Sequence, residues 1–190
     1  MEGVVRTRSG YGGGTTEDPV YEDLGDHTET VLVEYDPSRV TYGELLEVFW
    51  TSHNPTSPSW SVQYRSVIFT ADDEQRRAAE KSAARLRSDL GVKIHTSIEP
   101  MGRFYSAEDY HQKHYVRRDY VLMREYGEIY ATAEEFAASP STAKANGILA
   151  GLASREEAEK ILPLLGLSEE ARERLLARTW QEDPGRKGAD

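Results

Sequence analysis

The sequence predicts an α+β fold: a two-layer, ferredoxin-like (split β-α-β) core with a C-terminal helical appendage. Three observations predict it. Segments of period-two and helical periodicity follow one another in the order strand, strand, helix, strand, helix, strand, helix up to about residue 130. Beyond that point the character changes to short, charged, strongly helical segments. The 190 residues suffice to bury one core of ordinary size, without a single cysteine to staple it.

The elements follow in order. Residues 4–9 read as a short strand, and the glycine-rich run 10–14 as a loop. From Glu29 to Tyr35 the residues Val31, Val33 and Tyr35 alternate with Thr30, Leu32 and Glu34, the pattern of a strand with one buried face, and Asp36-Pro37 ends it. Thr41-Tyr42-Gly43-Glu44 has capping-box spacing, and the helix it opens is expected to bury Leu45, Leu46 and Phe49, with Trp50 in the core. The loop 53–61 carries two prolines, residues 62–70 resume strand character, and 72–90 form the clearest helix, stopped by Gly91. Residues 93–99 read as another strand, and Ser106-Ala107-Glu108-Asp109 as the cap of a helix running through His111 to about Arg118. Thr132-Ala133-Glu134-Glu135 and Ser154-Arg155-Glu156-Glu157 open two further capped helices. Leu162, Leu164, Leu165, Leu175 and Leu176 supply the appendage's apolar surface, and 183–190 is expected to fray. The expected organisation is a core over 1–130 and a helical appendage over 131–190.

One more strand and helix in front would complete a β-α-β-β-α-β arrangement whose first strand is central in its sheet. The expectation is therefore that an N-terminal strand and helix belong upstream of Met1.

A net charge of −10 offers no basic face to a phosphate backbone, so nucleic acid is not an expected partner. No segment is apolar and long enough to span a membrane. A soluble, cytoplasmic, monomeric protein is expected. Zero cysteines exclude a disulfide framework, a thiolate metal site and a cysteine nucleophile within these residues. His111 and His114, with Asp109, His27 and Glu29, could be drawn as a metal site, but no His-Glu-x-x-His motif is present. No bound metal or cofactor is expected.

Several stretches recur together as a set: Gly3-Val4-Val5-x-Thr7-x-x-Gly10-Tyr11-x-Gly13-Gly14, Asp18-Pro19-Val20-Tyr21, His27-Thr28-Glu29, Tyr35-Asp36-Pro37, His53-Asn54-Pro55-Thr56, Gln63-Tyr64-Arg65-Ser66 and Phe104-Tyr105-x-Ala107-Glu108-Asp109-Tyr110-His111-Gln112. In this order they resemble the peptide methionine sulfoxide reductases of the A class. The chemistry such a family performs needs a soft nucleophile to attack sulfur while an acid protonates the departing oxygen. The resemblance implies reduction of methionine S-sulfoxide, in proteins or peptides or free. It implies Glu29 as the acid, although Glu29 taken alone reads as a solvated strand-end carboxylate, and Tyr21 and Tyr64 as donors to the sulfoxide oxygen.

Substrate contacts are expected from Tyr11 and Trp60, with His111 in a segment that walls the site. The family's Gly-Cys-Phe-Trp nucleophile loop precedes the Gly-Val-x-x-Thr segment and would fall upstream of Met1. No resolving cysteine follows, so the implied partner is an external thiol reductant, thioredoxin-like or glutathione-type. One departure stands out: Ser57-Pro58-Ser59-Trp60-Ser61 carries no carboxylate where the family has an aspartate. The alternative is a non-catalytic sulfoxide-binding pseudoenzyme of the same fold.

Overall fold

Strand β1 (Val4–Gly12) pairs antiparallel with β2 (Thr28–Tyr35) in the computed structural model, which describes residues 1–179. The register sets Tyr11 opposite Glu29 and Gly12 opposite Thr28, after a shift between Val4 and Arg6. On the other edge of β1, the short β5 (Tyr105–Ser106) pairs Gly10 with Ser106 and Tyr11 with Tyr105, giving the sheet order β2-β1-β5.

A second sheet joins β3 (Val67–Thr70) and β4 (Ser97–Pro100) in parallel. A parallel pair needs a crossover, and α2 (Asp73–Leu90) supplies it. Asp72 caps this helix by accepting from the Gln75 N–H, and Gly91 ends it at φ 66°. Helix α1 (Tyr42–Thr51) opens with a complete Thr41–Glu44 capping box. It buries Leu46 and Trp50 against Ile68, Ala79, Ala83 and Ile94, and the Trp50 Nε1–H donates to Ser82 Oγ at 3.0 Å.

The chain folds as two compact units, Met1–Glu108 and Asp109–Asp190. The second unit begins with a 3₁₀ turn, Asp109–His111, followed by α3 (His114–Arg117), α4 (Tyr120–Ile129), α5 (Ala133–Ala138), α6 (Pro140–Leu149), α7 (Arg155–Ile161) and α8 (Glu169–Leu176). Val116, Leu122, Tyr126, Phe136, Ile148, Leu162, Leu165 and Leu175 form its core. The Thr132 and Ser154 capping boxes are both present. Asp119 caps α4 through the Val121 and Leu122 N–H groups and accepts from Arg174 Nε at 2.5 Å.

The mixed helix and sheet content is as expected, with five differences in detail. The glycine run is not a loop up to Gly12: β1 continues through it because β5 closes so near that a Cβ on Gly10 would lie 2.3 Å from the Tyr105 carbonyl oxygen and 2.3 Å from Phe104 Cζ. Residues 62–66 are not strand, because the Val62 and Gln63 carbonyls and the Gln63 and Arg65 side chains turn to Thr28 and Glu29 of β2. The strand expected over 93–99 starts only at Ser97. The helix expected through His111 is broken by Lys113, whose φ of 53° is left-handed and cannot continue a right-handed helix. Leu45 and Phe49 are half-buried, and Leu164 is exposed on its own 3₁₀ turn. The segment 183–190 lies outside the described residues.

Candidate active site

Tyr21 sits at the tip of a tight turn. Val20 and Asp23 exchange backbone hydrogen bonds of 3.3 and 2.9 Å across it, and Asp18, at φ 48°, turns the chain into the buried Pro19. Aspartate is among the few non-glycine residues that accept this conformation. The preceding loop is tied by Asp26, whose carboxylate accepts from the backbone N–H groups of Thr15 (2.8 Å) and Thr16 (3.1 Å) and from both hydroxyls. These donors, the Thr16 N–H foremost, hold the Asp26 carboxyl well below the usual carboxylate range.

The buried His27 completes the tie. A carbonyl can only accept, so Nε2–H donates to the Thr16 oxygen at 2.8 Å, and Nδ1 receives the Gly14 N–H at 3.3 Å. A Cβ on Gly14 would lie 2.6 Å from the His27 ring, so this packing requires glycine. From the other side Glu108 accepts the Tyr11 hydroxyl at 2.5 Å on one oxygen and the Tyr21 backbone N–H at 3.0 Å on the other.

Glu29 lies one residue into β2, where the segment 62–66 crosses the strand. The Glu29 N–H donates to the Gln63 carbonyl at 3.0 Å, and the fully buried Thr28 hydroxyl donates to the Val62 carbonyl at 2.9 Å. Arg65 locks the crossing: Nε donates to Thr28 Oγ1 at 2.8 Å while the guanidinium pairs in bidentate fashion with Glu99. That pairing lowers the Glu99 pKa. Ser66 closes the segment. His53 Nδ1–H donates to the Phe49 carbonyl at 2.9 Å, and its Nε2 meets Ser66 Oγ at 2.9 Å, which in turn meets Thr96 Oγ1 at 2.8 Å. His53 therefore orders this loop.

The outcome is a continuous polar line. The Gln63 side-chain amide donates to Glu29 Oε1 at 2.8 Å and to the Tyr64 hydroxyl oxygen at 3.0 Å, and the Tyr64 and Tyr21 hydroxyls lie 3.4 Å apart. The Tyr64 phenol is pushed up to about 12, first by its hydrogen bond with Tyr21, then by burial and by the Tyr21 and Glu29 charges. It remains protonated, and a donor, at neutral pH. Trp60, 82% exposed, rests its ring 5.1 Å from that of Tyr64. An acid, two hydroxyls and an exposed indole thus face solvent together, a set suited to receive a small polar oxygen beside an apolar group.

The structure brings Glu29, Tyr21, Tyr64 and Trp60 into one place. Tyr11 lies behind them, 2% exposed, reaching Tyr21 through Glu108. His111 belongs to the second unit, at the end of its 3₁₀ turn with its ring 4.3 Å from that of Tyr110. Two residues of the cluster escaped sequence reasoning: Gln63, part of the Gln63-Tyr64-Arg65-Ser66 motif but given no role, and Glu108, read there as a helix cap. Their motifs were the available signal. Among the described residues no three His, Cys, Asp or Glu side chains group as metal ligands, and no helix is long and apolar enough to cross a membrane.

The peptide methionine sulfoxide reductase family model matches residues 1–142. A relative named peptide methionine sulfoxide reductase MsrA, from Methanothermobacter thermautotrophicus, is 49% identical over 138 residues, covering 65% of this chain and 82% of that protein. Peptide methionine sulfoxide reductase A5 of Oryza sativa subsp. japonica is 41% identical over 170 residues, covering 85% of this chain and 65% of that protein. Among solved structures, reduced Mxr1 from Saccharomyces cerevisiae matches with a TM-score of 0.58 at 29% identity, covering 62% of this chain and 73% of that one. Methionine sulfoxide reductase A of Corynebacterium diphtheriae matches with a TM-score of 0.53 at 34% identity, covering 61% and 65%.

Proposed function

Because the chain belongs to the peptide methionine sulfoxide reductase family, we propose that it carries the acid and oxygen-binding half of a peptide-methionine (S)-S-oxide reductase site. The observation that supports this reading most is the convergence of Tyr21, Tyr64 and Glu29 through Gln63. In the proposed step a thiolate or selenolate bonds to the sulfoxide sulfur while Glu29 protonates the oxygen. The sulfur–oxygen bond then breaks, that oxygen is delivered as hydroxide to the nucleophile atom, and the bond between nucleophile and substrate sulfur breaks with its electron pair returning to the departing thioether. Sulfur is reduced to the thioether, and the nucleophile leaves as its sulfenic or selenenic acid. The Tyr21 and Tyr64 hydroxyls hold the oxygen during transfer, with Trp60 as the apolar wall. Tyr11, acting through Glu108, supports Tyr21.

The 190 residues contain no cysteine, so the nucleophile is a cysteine or selenocysteine outside them. Two equivalents of an external thiol, from a thioredoxin-like or glutathione-type donor, return the oxidised nucleophile to its resting state and release water. The same reading places a further strand between the open edges of β2 and β3, completing a two-layer split β-α-β core. The enzyme would act as a monomer in the cytoplasm, on oxidised proteins and peptides and on free methionine sulfoxide.

The test is to isolate the protein from its native source, record its intact mass and assay it on the separate sulfoxide epimers with dithiothreitol. The expected result is a mass above 21.4 kDa and turnover of the S epimer alone. A mass of 21.4 kDa with sulfoxide binding but no turnover would establish the pseudoenzyme instead.

A further inference from the structure

Gln63 touches both Glu29 and Tyr64, and it holds Glu29 twice, by its backbone carbonyl at 3.0 Å and its side-chain amide at 2.8 Å. The chemistry of these groups orients the amide. A carboxylate only accepts, so the face of Gln63 turned to Glu29 must be its NH₂. The second N–H of the same nitrogen then points at the Tyr64 oxygen, which must accept.

Two consequences follow for the direction of each hydrogen bond. With its oxygen accepting from Gln63, Tyr64 keeps its own proton for Tyr21, for Glu29 or for an oxygen arriving between them. With Oε1 of Glu29 engaged as an acceptor, the acid proton of protonated Glu29 is confined to Oε2. When that proton leaves, the Gln63–Glu29 bond becomes charge-assisted and strengthens, so the amide favours the state reached after transfer over the state before it. This chain has no carboxylate in Ser57-Pro58-Ser59-Trp60-Ser61, and the Gln63 amide donates to Glu29.

We propose that Gln63 is a positioning residue that sets hydrogen-bond polarity at this site, making Tyr64 a donor and Oε2 of Glu29 the proton-bearing oxygen. The inference rests on the sulfoxide-reductase reading above. It assigns Gln63 no contact with the reacting sulfur.

Binding is measured on the full-length protein with any nucleophile outside these 190 residues replaced by serine, so that no ligand is consumed. Affinities for N-acetyl-methionine-S-sulfoxide amide and for its thioether counterpart are to be determined for the parent and for Gln63→Met, which keeps the volume and removes the donors. The expected result is a parent preference for the sulfoxide that falls about tenfold in Gln63→Met, with thioether affinity unchanged, the effect of losing one well-made hydrogen bond. A preference that survives the substitution within twofold overturns the role of Gln63.

A parent that shows no preference overturns the functional reading itself. The clamp has its own spectroscopic readout. In Glu29→Gln the Gln63 side-chain amide proton loses its charged acceptor and is expected to move upfield in a ¹H–¹⁵N spectrum. A Gln63 signal that stays in place overturns the proposed polarity even if Gln63→Met does not fold.

Discussion

Replacing Arg65 with methionine is the sharpest probe of how the candidate site is held, because Arg65 ties the segment bearing Gln63 and Tyr64 to β2 and β4 at once. Its guanidinium makes a bidentate pair with Glu99, and its Nε donates to the buried Thr28 hydroxyl at 2.8 Å. The two charged side chains are 25% and 33% accessible. Breaking a fully buried pair by removing one partner costs about 3–5 kcal/mol, and solvent at these accessibilities screens it to about 2. The Thr28 hydrogen bond adds about 1 kcal/mol. Methionine retains the aliphatic bulk, so Arg65→Met is expected to lose about 3 kcal/mol in all.

Urea unfolding followed by circular dichroism reads this directly. With a slope of about 1.5 kcal/mol per molar urea, the midpoint should fall by about 2 M. Much of the loss is the unpaired Glu99 carboxylate left behind, so Glu99→Leu added to Arg65→Met should recover about half of it. A loss below about 1 kcal/mol, or no recovery in the double variant, would refute the claim that this pair anchors the crossing.

Two further outcomes follow from the same geometry. The Glu99 pKa is lowered in the folded chain, first by its hydrogen bond to Arg65, from an ordinary 4.5. Its contribution is complete above that ordinary value and is lost as pH falls through the lowered one, so the stability gap between the parent and Arg65→Met should narrow from pH 7 to about pH 3, as urea midpoints at the two pH values will show. Gly10→Ala would place a Cβ 2.3 Å from the Tyr105 carbonyl oxygen, a backbone atom that cannot swing aside. It should cost about 2–3 kcal/mol and expose the Ala107 N–H, now bonded to Ser9 at 3.0 Å, to hydrogen exchange, and a fully protected Ala107 amide would contradict it.

Features written in short-range chemistry were readable in advance. The capping boxes at Thr41, Thr132 and Ser154 need only a hydroxyl and a glutamate three residues apart, and all three form. The stop at Gly91 needs only a residue free to adopt positive φ. Errors arose where a distant partner decided the local conformation. Gly10 and Gly12 looked like a flexible loop but serve a close strand contact. Residues 62–66 have the composition of a strand, yet the Val62 and Gln63 carbonyls go to the Thr28 hydroxyl and the Glu29 N–H instead of to a ladder. Glu108 has the position of a helix cap and was recruited by Tyr11 and Tyr21 instead.

The sequence by itself determined the order of elements from β1 to β4, the caps at Thr41, Thr132 and Ser154, the absence of a thiol from these 190 residues, and, through its motifs, the family whose pattern Glu29, Tyr21 and Tyr64 match. Tertiary structure alone decided how those groups meet. Gln63 reaches Glu29 across 34 residues of chain, and Tyr64 reaches Tyr21 across 43, because β2, the Val20–Asp23 turn and the Arg65–Glu99 pair bring them together. Periodicity and capping depend on neighbours within one turn of chain. The direction of a hydrogen bond between distant side chains depends on which acceptor the folded chain has already placed there.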